Sequence, residues 1–175
     1  MKQFLSTPVV IMVLLIFAGC KKSNDDTAGD KLPGKIDLKN VTLSPDKKSF
    51  QAAGITFTGA NGYIDRAWEN CVSPDGAEIR VKHGSYDGIE LSSLNFNTLI
   101  ADVSRLPAIH KVTVAFFNNC CPNLSACDGN DVIATTTDVS NGGENATITL
   151  NIGGKKAGSI SFQSLEAIVH SITIE

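Results

Sequence analysis

From Val112 to Phe116 every second residue is apolar, with Val112, Val114 and Phe116 alternating with Thr113 and Ala115. This period of two constrains the fold more than anything else in the 175-residue chain. Successive side chains of a strand point to opposite sides, so such a run has one face to bury and one to leave outside. Phe117 falls on the outer parity. Cys120, Cys121 and Cys127 follow, then Asp128-Gly129-Asn130-Asp131, where Asp-Gly supplies the positive backbone dihedrals of a tight turn. Val132 to Thr137 is rich in β-branched residues and suits a returning strand. The expectation is a hairpin across His110 to Val139 with most of the cysteines at its join.

Similar runs recur along the chain. Ile36 to Leu43, Gly54 to Thr58, Gly62 to Ile64, Ala77 to Lys82 and Ile89 to Leu91 are short apolar stretches. Ser44-Pro45-Asp46, Gly59 to Gly62, Ser73-Pro74-Asp75-Gly76 and Ser85-Tyr86-Asp87-Gly88 separate them as turns. Further on, Ile148, Leu150 and Ile152 share one face, Ile160 and Phe162 the next, and Ile168, Ile172 and Ile174 the last. Asn141-Gly142-Gly143 and Gly153-Gly154 read as hairpin-type turns between them. This spacing predicts an all-β chain, with antiparallel strands in a sandwich or barrel. One stretch breaks the pattern: Phe96, Leu99, Ile100 and Val103 fall at helical spacing, with Asn97 as a cap and Pro107 as a stop. A strand followed by a loop fits the same residues.

Ahead of these strands, residues 1–19 read as an export signal, with Lys2 as the positive start, Val9 to Ala18 as a short apolar core and small residues before Cys20. Phe17-Ala18-Gly19-Cys20 resembles the lipobox of bacterial lipoproteins. That resemblance implies cleavage before Cys20, acylation of its sulfur and amine, and a place in the cell envelope, at the outer membrane and facing the surface. Several acyl chains on one cysteine hold durably at roughly 0.8 kcal/mol per buried methylene, so the partner implied here is the membrane itself. Residues 20–35 are polar and lack an apolar period, as a flexible tether should. Lys21-Lys22-Ser23-Asn24-Asp25-Asp26 is similar to the stretch after the lipidated Cys of some surface-exported Gram-negative lipoproteins. Asp26-Thr27-Ala28 resembles a short O-glycosylation sequon, which would modify Thr27.

Residues 36–175 form one expected domain, with ten Lys and Arg against fifteen Asp and Glu, a formal charge of −5. A mildly acidic surface without a basic cluster excludes nucleic acid as the partner. No nucleophile elbow, metal-binding His pair or phosphate loop is present, so neither an enzyme nor a cofactor is expected.

The order Gly54 to Gly59, Lys111 to Ala115, Asp128 to Ala134 and Gly158 to Ile174 resembles the galactose-binding-domain-like jelly rolls of bacterial surface proteins. That resemblance implies a jelly-roll β-sandwich used for glycan binding, adhesion or structure. Its last strand often carries an acidic residue before an Asp at the sandwich edge. Here Glu166 is present and His170 stands near the place of the Asp.

Besides Cys20, the chain has Cys71, Cys120, Cys121 and Cys127, an even number that predicts two disulfides in an exported protein. Continued alternation from Phe116 aims Cys120 inward and Cys121 outward, favouring Cys71 with Cys120 and Cys121 with Cys127. Zinc held with His83 and His110 is the competing use, but the spacing matches no finger or ribbon. The oxygens of Asp128 to Asp131 lack the later ligands of a calcium loop and suit a turn. His170 shares the parity of Ile168 and Ile172, as a hydrogen-bonded core histidine would.

Tyr63, Asp65, Arg66, Trp68, Glu69 and Asn70 gather aromatics, carboxylates, a guanidinium and an amide in one stretch. They form the candidate ligand site, with Trp68 either stacking on a sugar ring or packing as core against the Cys71 bridge. Two uses follow: a displayed binding module for a glycan, or a structural lipoprotein docking on an envelope protein.

Overall fold

The computed structural model describes residues 31–61, 71–91, 98–137 and 145–175, the side chains of 118–120 excepted. Among the described residues twelve strands run in chain order: β1 Gly34–Asp37, β2 Ser49–Ala52, β3 Ile55–Ala60, β4 Arg80–Lys82, β5 Gly88–Leu91, β6 Thr98–Asp102, β7 Ile109–Cys120, β8 Asn123–Asp128, β9 Asp131–Thr137, β10 Asn145–Lys155, β11 Ser159–Gln163 and β12 Glu166–Ile174. They form two antiparallel sheets. The first has the order β10-β7-β12-β5-β4, with β1 also paired to β12, and the second β2-β3-β6-β11-β8-β9. The chain is an all-β sandwich with no helix among the described residues.

Alternation places the core between the sheets. On the first sheet Ile148, Val114, Ile172 and Ile36 are register partners in one inward row, all at most 4% exposed. On the second, Phe50, Phe57, Ala101, Ile160, Ala126 and Ala134 follow one another across six strands. Bulk is thus concentrated on β2 and β3, where the rings of Phe50 and Phe57 stack at 4.8 Å. Phe116 and Phe162 meet across the sandwich at 5.1 Å, joining the two inner faces. Dense interiors of this kind lose about 3 to 5 kcal/mol when such a ring is truncated to Ala.

Several expectations are corrected. Of the two readings open for the stretch at helical spacing, the strand followed by a loop is the one observed: it enters β6, where Leu99, Ile100 and Ala101 are buried in a central strand. Burial on both faces explains the run of apolar residues that a period count mistakes for helical spacing. The hairpin expected between β7 and the Val132 strand is instead β8 with β9, turning at Gly129-Asn130 with Gly129 at φ 59°. β7 belongs to the first sheet and β8 to the second, so the cysteine-rich join is a crossing between layers. Gly153 and Gly154 do not turn the chain. At φ 72° and 75° they form an irregularity within β10, between Asn151 and Lys155.

The disulfide pairing is also corrected. Cys71 bonds Cys127, with their Cα atoms 5.8 Å apart. Asn123 and Cys127 lie four residues apart on β8, roughly 13 Å at strand rise, so a residue ahead of β8 is out of bridging reach of Cys127. Cys121 is disulfide-bonded as well, at φ 53°, so neither expected pair stands: Cys71 and Cys127 are taken by each other.

Candidate functional site

The outward face of the first sheet carries short polar side chains in two cross-strand rows. Thr147, Ala115, Ser171 and Asp37 form one, and Thr149, Thr113, Thr173 and Lys35 the next. Thr113 and Thr149 share a hydroxyl hydrogen bond of 3.1 Å. A third row begins with Asn145, Phe117 and Ile168 and is apolar at its centre. Short residues beside taller ones make a trough.

One inserted residue shapes it. Val169 pairs with Phe116 and Ser171 with Ala115, which leaves His170 without a register partner on β7, as the extra residue of a β-bulge. The parity of β12 therefore reverses at His170: Ile172 and Ile174 face inward, whereas Ile168 faces outward beside Phe117. His170 is half-buried and its Nδ1–H donates to the carbonyl of Asp87 at 2.6 Å. A carbonyl can only accept, so this bond fixes the ring and leaves Nε2 for a ligand.

The bond also ties down the loop before β5. Gly84 N–H donates to the Asp87 carboxylate at 2.8 Å. Gly88 then passes so close to β12 that a Cβ there would collide with the Val169 carbonyl oxygen. Between these anchors Tyr86 folds back over the sheet, its ring 4.1 Å from that of Phe117 with planes 29° apart. Tyr86 remains 37% exposed.

The result is a groove of about 510 Å³, floored by Ala115 and Ser171 and bounded by Tyr86, His170, Asn145, Thr147, Lys35 and Asp37. Across the four strands from β10 to β1 its floor spans roughly 14 Å at ordinary strand spacing. It offers an aromatic ring, the hydroxyls of Ser85, Thr147 and Ser171, an amide, two carboxylates, two ammonium groups and a free imidazole nitrogen. Such a set suits a ligand that is flat on one face and rich in hydroxyls on its edge.

The sequence placed the ligand site elsewhere. Tyr63, Asp65, Arg66, Trp68, Glu69 and Asn70 lie outside the described residues, as do Cys20 and Thr27. In the sequence Tyr86 reads as a turn residue and His170 as a core histidine. The missed signal is Phe117, a large aromatic on the outward parity of a strand, which calls for something to cover it. His83 and His110 gather no metal set; among the described residues no cluster of three His, Cys, Asp or Glu is placed to hold an ion.

On the opposite sheet, Cys71 to Pro74 lie over Thr58, Ile100 and Ser159, and a smaller cavity of about 290 Å³ remains beneath them. Asp102 at its rim has its carboxyl held below the ordinary 3.8, first by the Ser104 hydroxyl, then by the Ser104 N–H, with Arg105 adding to both.

No family model matches the chain, and no curated protein matches it. Among solved structures, it is similar to the carbohydrate-binding module CBM36 in complex with calcium and xylotriose, with 10% identity and a TM-score of 0.42, over 81% of this chain and 98% of that one. It is also similar to the CBM36-1 domain of a multidomain xylanase from the hindgut metagenome of Trinervitermes trinervoides, with 15% identity and a TM-score of 0.40, over 55% of this chain and 84% of that one. These likenesses are too distant to assign a ligand.

Proposed function

We propose that this protein is a cell-envelope lipoprotein, anchored through Cys20 at the outer membrane and facing the surface, whose non-catalytic β-sandwich binds a glycan in the groove beneath Tyr86. The observation that carries the binding reading is Tyr86 itself: an aromatic ring seated on Phe117, still exposed, and edged by Asn145, Thr147, Asp37 and His170. A sugar presents an apolar face to such a ring and hydroxyls to such neighbours.

Tyr86→Ala tests it. Loss of a stacking aromatic costs roughly 1 to 3 kcal/mol, so affinity for a bound polysaccharide falls by about one to two decades. The melting midpoint moves little, because only an exposed contact worth about 1 kcal/mol is lost from the fold. Affinity electrophoresis in polysaccharide gels reads the first and a thermal melt the second. Unchanged retention of a polysaccharide that binds the wild type overturns the assignment to this groove. The anchor has its own test: Cys20→Ala should move the protein from the membrane to the soluble fraction, and sedimentation with membranes after a high-salt wash overturns it.

A second reading, docking on an envelope protein partner, draws on β9. This strand is at the edge of the second sheet, carries Asp131-Val-Ile-Ala-Thr-Thr-Thr137 and leaves Val132 45% exposed. Exposed edges of this composition invite a further strand. Val132→Lys would then abolish partner capture without touching glycan retention.

A further inference from the structure

We infer that the groove takes an anionic saccharide, one bearing carboxylate or sulfate, in preference to a neutral one; this rests on the reading of the groove as a glycan site. The ground is how its charges are already used. Two carboxylates and two ammonium groups line it, those of Asp37, Asp87, Lys35 and Lys39. Both carboxylates are engaged by the chain's own N–H groups: Asp37 Oδ1 accepts from Lys39 N–H at 2.8 Å, and Asp87 Oδ1 accepts from Gly84 N–H at 2.8 Å with His83 Nδ1 4.0 Å away. Neither lysine has a carboxylate partner among the described residues, whereas Lys47, Lys82 and Lys111 each pair with a glutamate.

Each acid of the groove thus has one oxygen engaged in holding its walls and keeps its charge, whereas neither ammonium group is paired with a carboxylate among the described residues and both remain for a ligand. Lys35 stands on the outward side of β1 beside Thr173, and Lys39 follows two residues after Asp37 closes its turn. The full sequence has a formal charge of −3, so the molecule as a whole repels polyanions and any attraction to one has to be local.

The experiment compares polymers that share a backbone and differ in charge, using the purified full-length chain. Polygalacturonate is set against its fully methyl-esterified form, and dextran sulfate against dextran, which separates carboxylate from sulfate as the recognised group. The charged member of at least one pair should bind about tenfold tighter than its neutral counterpart, and the gap should close as salt rises from about 50 mM to about 500 mM. Lys35→Gln with Lys39→Gln should raise the Kd for the charged polymer about tenfold and close most of the gap to its neutral counterpart, with the melting midpoint unchanged. Equal binding of charged and neutral members, or a double variant that binds as the wild type does, overturns the inference. If a neutral polymer such as xylan binds and is lost in Tyr86→Ala, the charge preference falls and the glycan reading stands. If none of these polymers is retained, both fall.

Discussion

The outward faces of the two sheets are made of the same residue types, yet one is open and the other is sealed. On the first sheet Thr147 and Thr149 are exposed, and Thr113, Ala115 and Thr173 are half-buried. On the second, Thr98, Asn123, Ser125, Ser161 and Gln163 occupy equivalent outward positions and are at most 2% exposed. Alternation along a strand therefore says which side points away from the core. It does not say whether water reaches that side, since loops elsewhere in the sequence decide this. The Cys71–Cys127 bridge fastens chain onto the second sheet, whereas the first has only Tyr86 laid over one corner among the described residues.

The strongest test of this contrast removes the fastening. The bridge closes 56 residues, and on the chain-entropy model its loss in a Cys71→Ala/Cys127→Ala double variant costs about 4 kcal/mol. Amide exchange should then accelerate on β8 and β11 while β7 and β10 keep their protection. Equal loosening of both sheets would show that the bridge supports the whole sandwich and not one face of it. Gly88→Val comes next. Its side chain would collide with the Val169 carbonyl and displace the loop that carries Tyr86, for a loss of about 3 kcal/mol in a denaturation curve.

Smaller effects probe the sealed face from within. The Ser161 hydroxyl is buried without a hydrogen-bond partner among the described residues. Ser161→Ala should thus cost nothing and stabilise by up to about 1 kcal/mol, the reverse of what a bonded buried hydroxyl would show. Last, the depressed pKa of Asp102 contributes stability that is present above its unfolded value and is lost as pH falls through the folded one, that is, below 3.8. Ser104→Ala should move the Asp102 titration, followed by carboxyl NMR shifts, back up toward 3.8. An unmoved titration would show that the Ser104 hydroxyl is not its cause.

Much of the sandwich was legible in the sequence because one buried face writes a period of two. Val112, Val114 and Phe116 point inward as that period requires, and so do Ile148, Leu150 and Ile152. Legibility ended where the chain changed layers or parity. Nothing local distinguishes a cysteine-rich turn within one sheet from a crossing between two, so neither β8 nor the Cys71–Cys127 pairing is legible in the sequence. A bulge residue looks like any other, so a simple period puts His170 on the parity of Ile168 and Ile172 although it separates them. The groove was illegible for the same reason at longer range: Tyr86 meets Phe117 across 31 positions, which no periodicity records. Phe117 on the outward parity was the one visible trace.

The attachment of β1 bears on how the groove responds to load. β1 is held by four register pairs to β12, and Leu38 N–H extends that ladder to the His170 carbonyl at 2.9 Å. It is also the first strand among the described residues and brings Lys35 and Asp37 to the groove. Leu32, just ahead of β1, packs against the core, so a pull on the polypeptide ahead of it loads that contact first and this short strand next. Peeling β1 from β12 would strip one wall from the groove and take Ile36 out of the core row it shares with Ile172. The shape of the groove and the seating of the first described strand are therefore coupled through four residues.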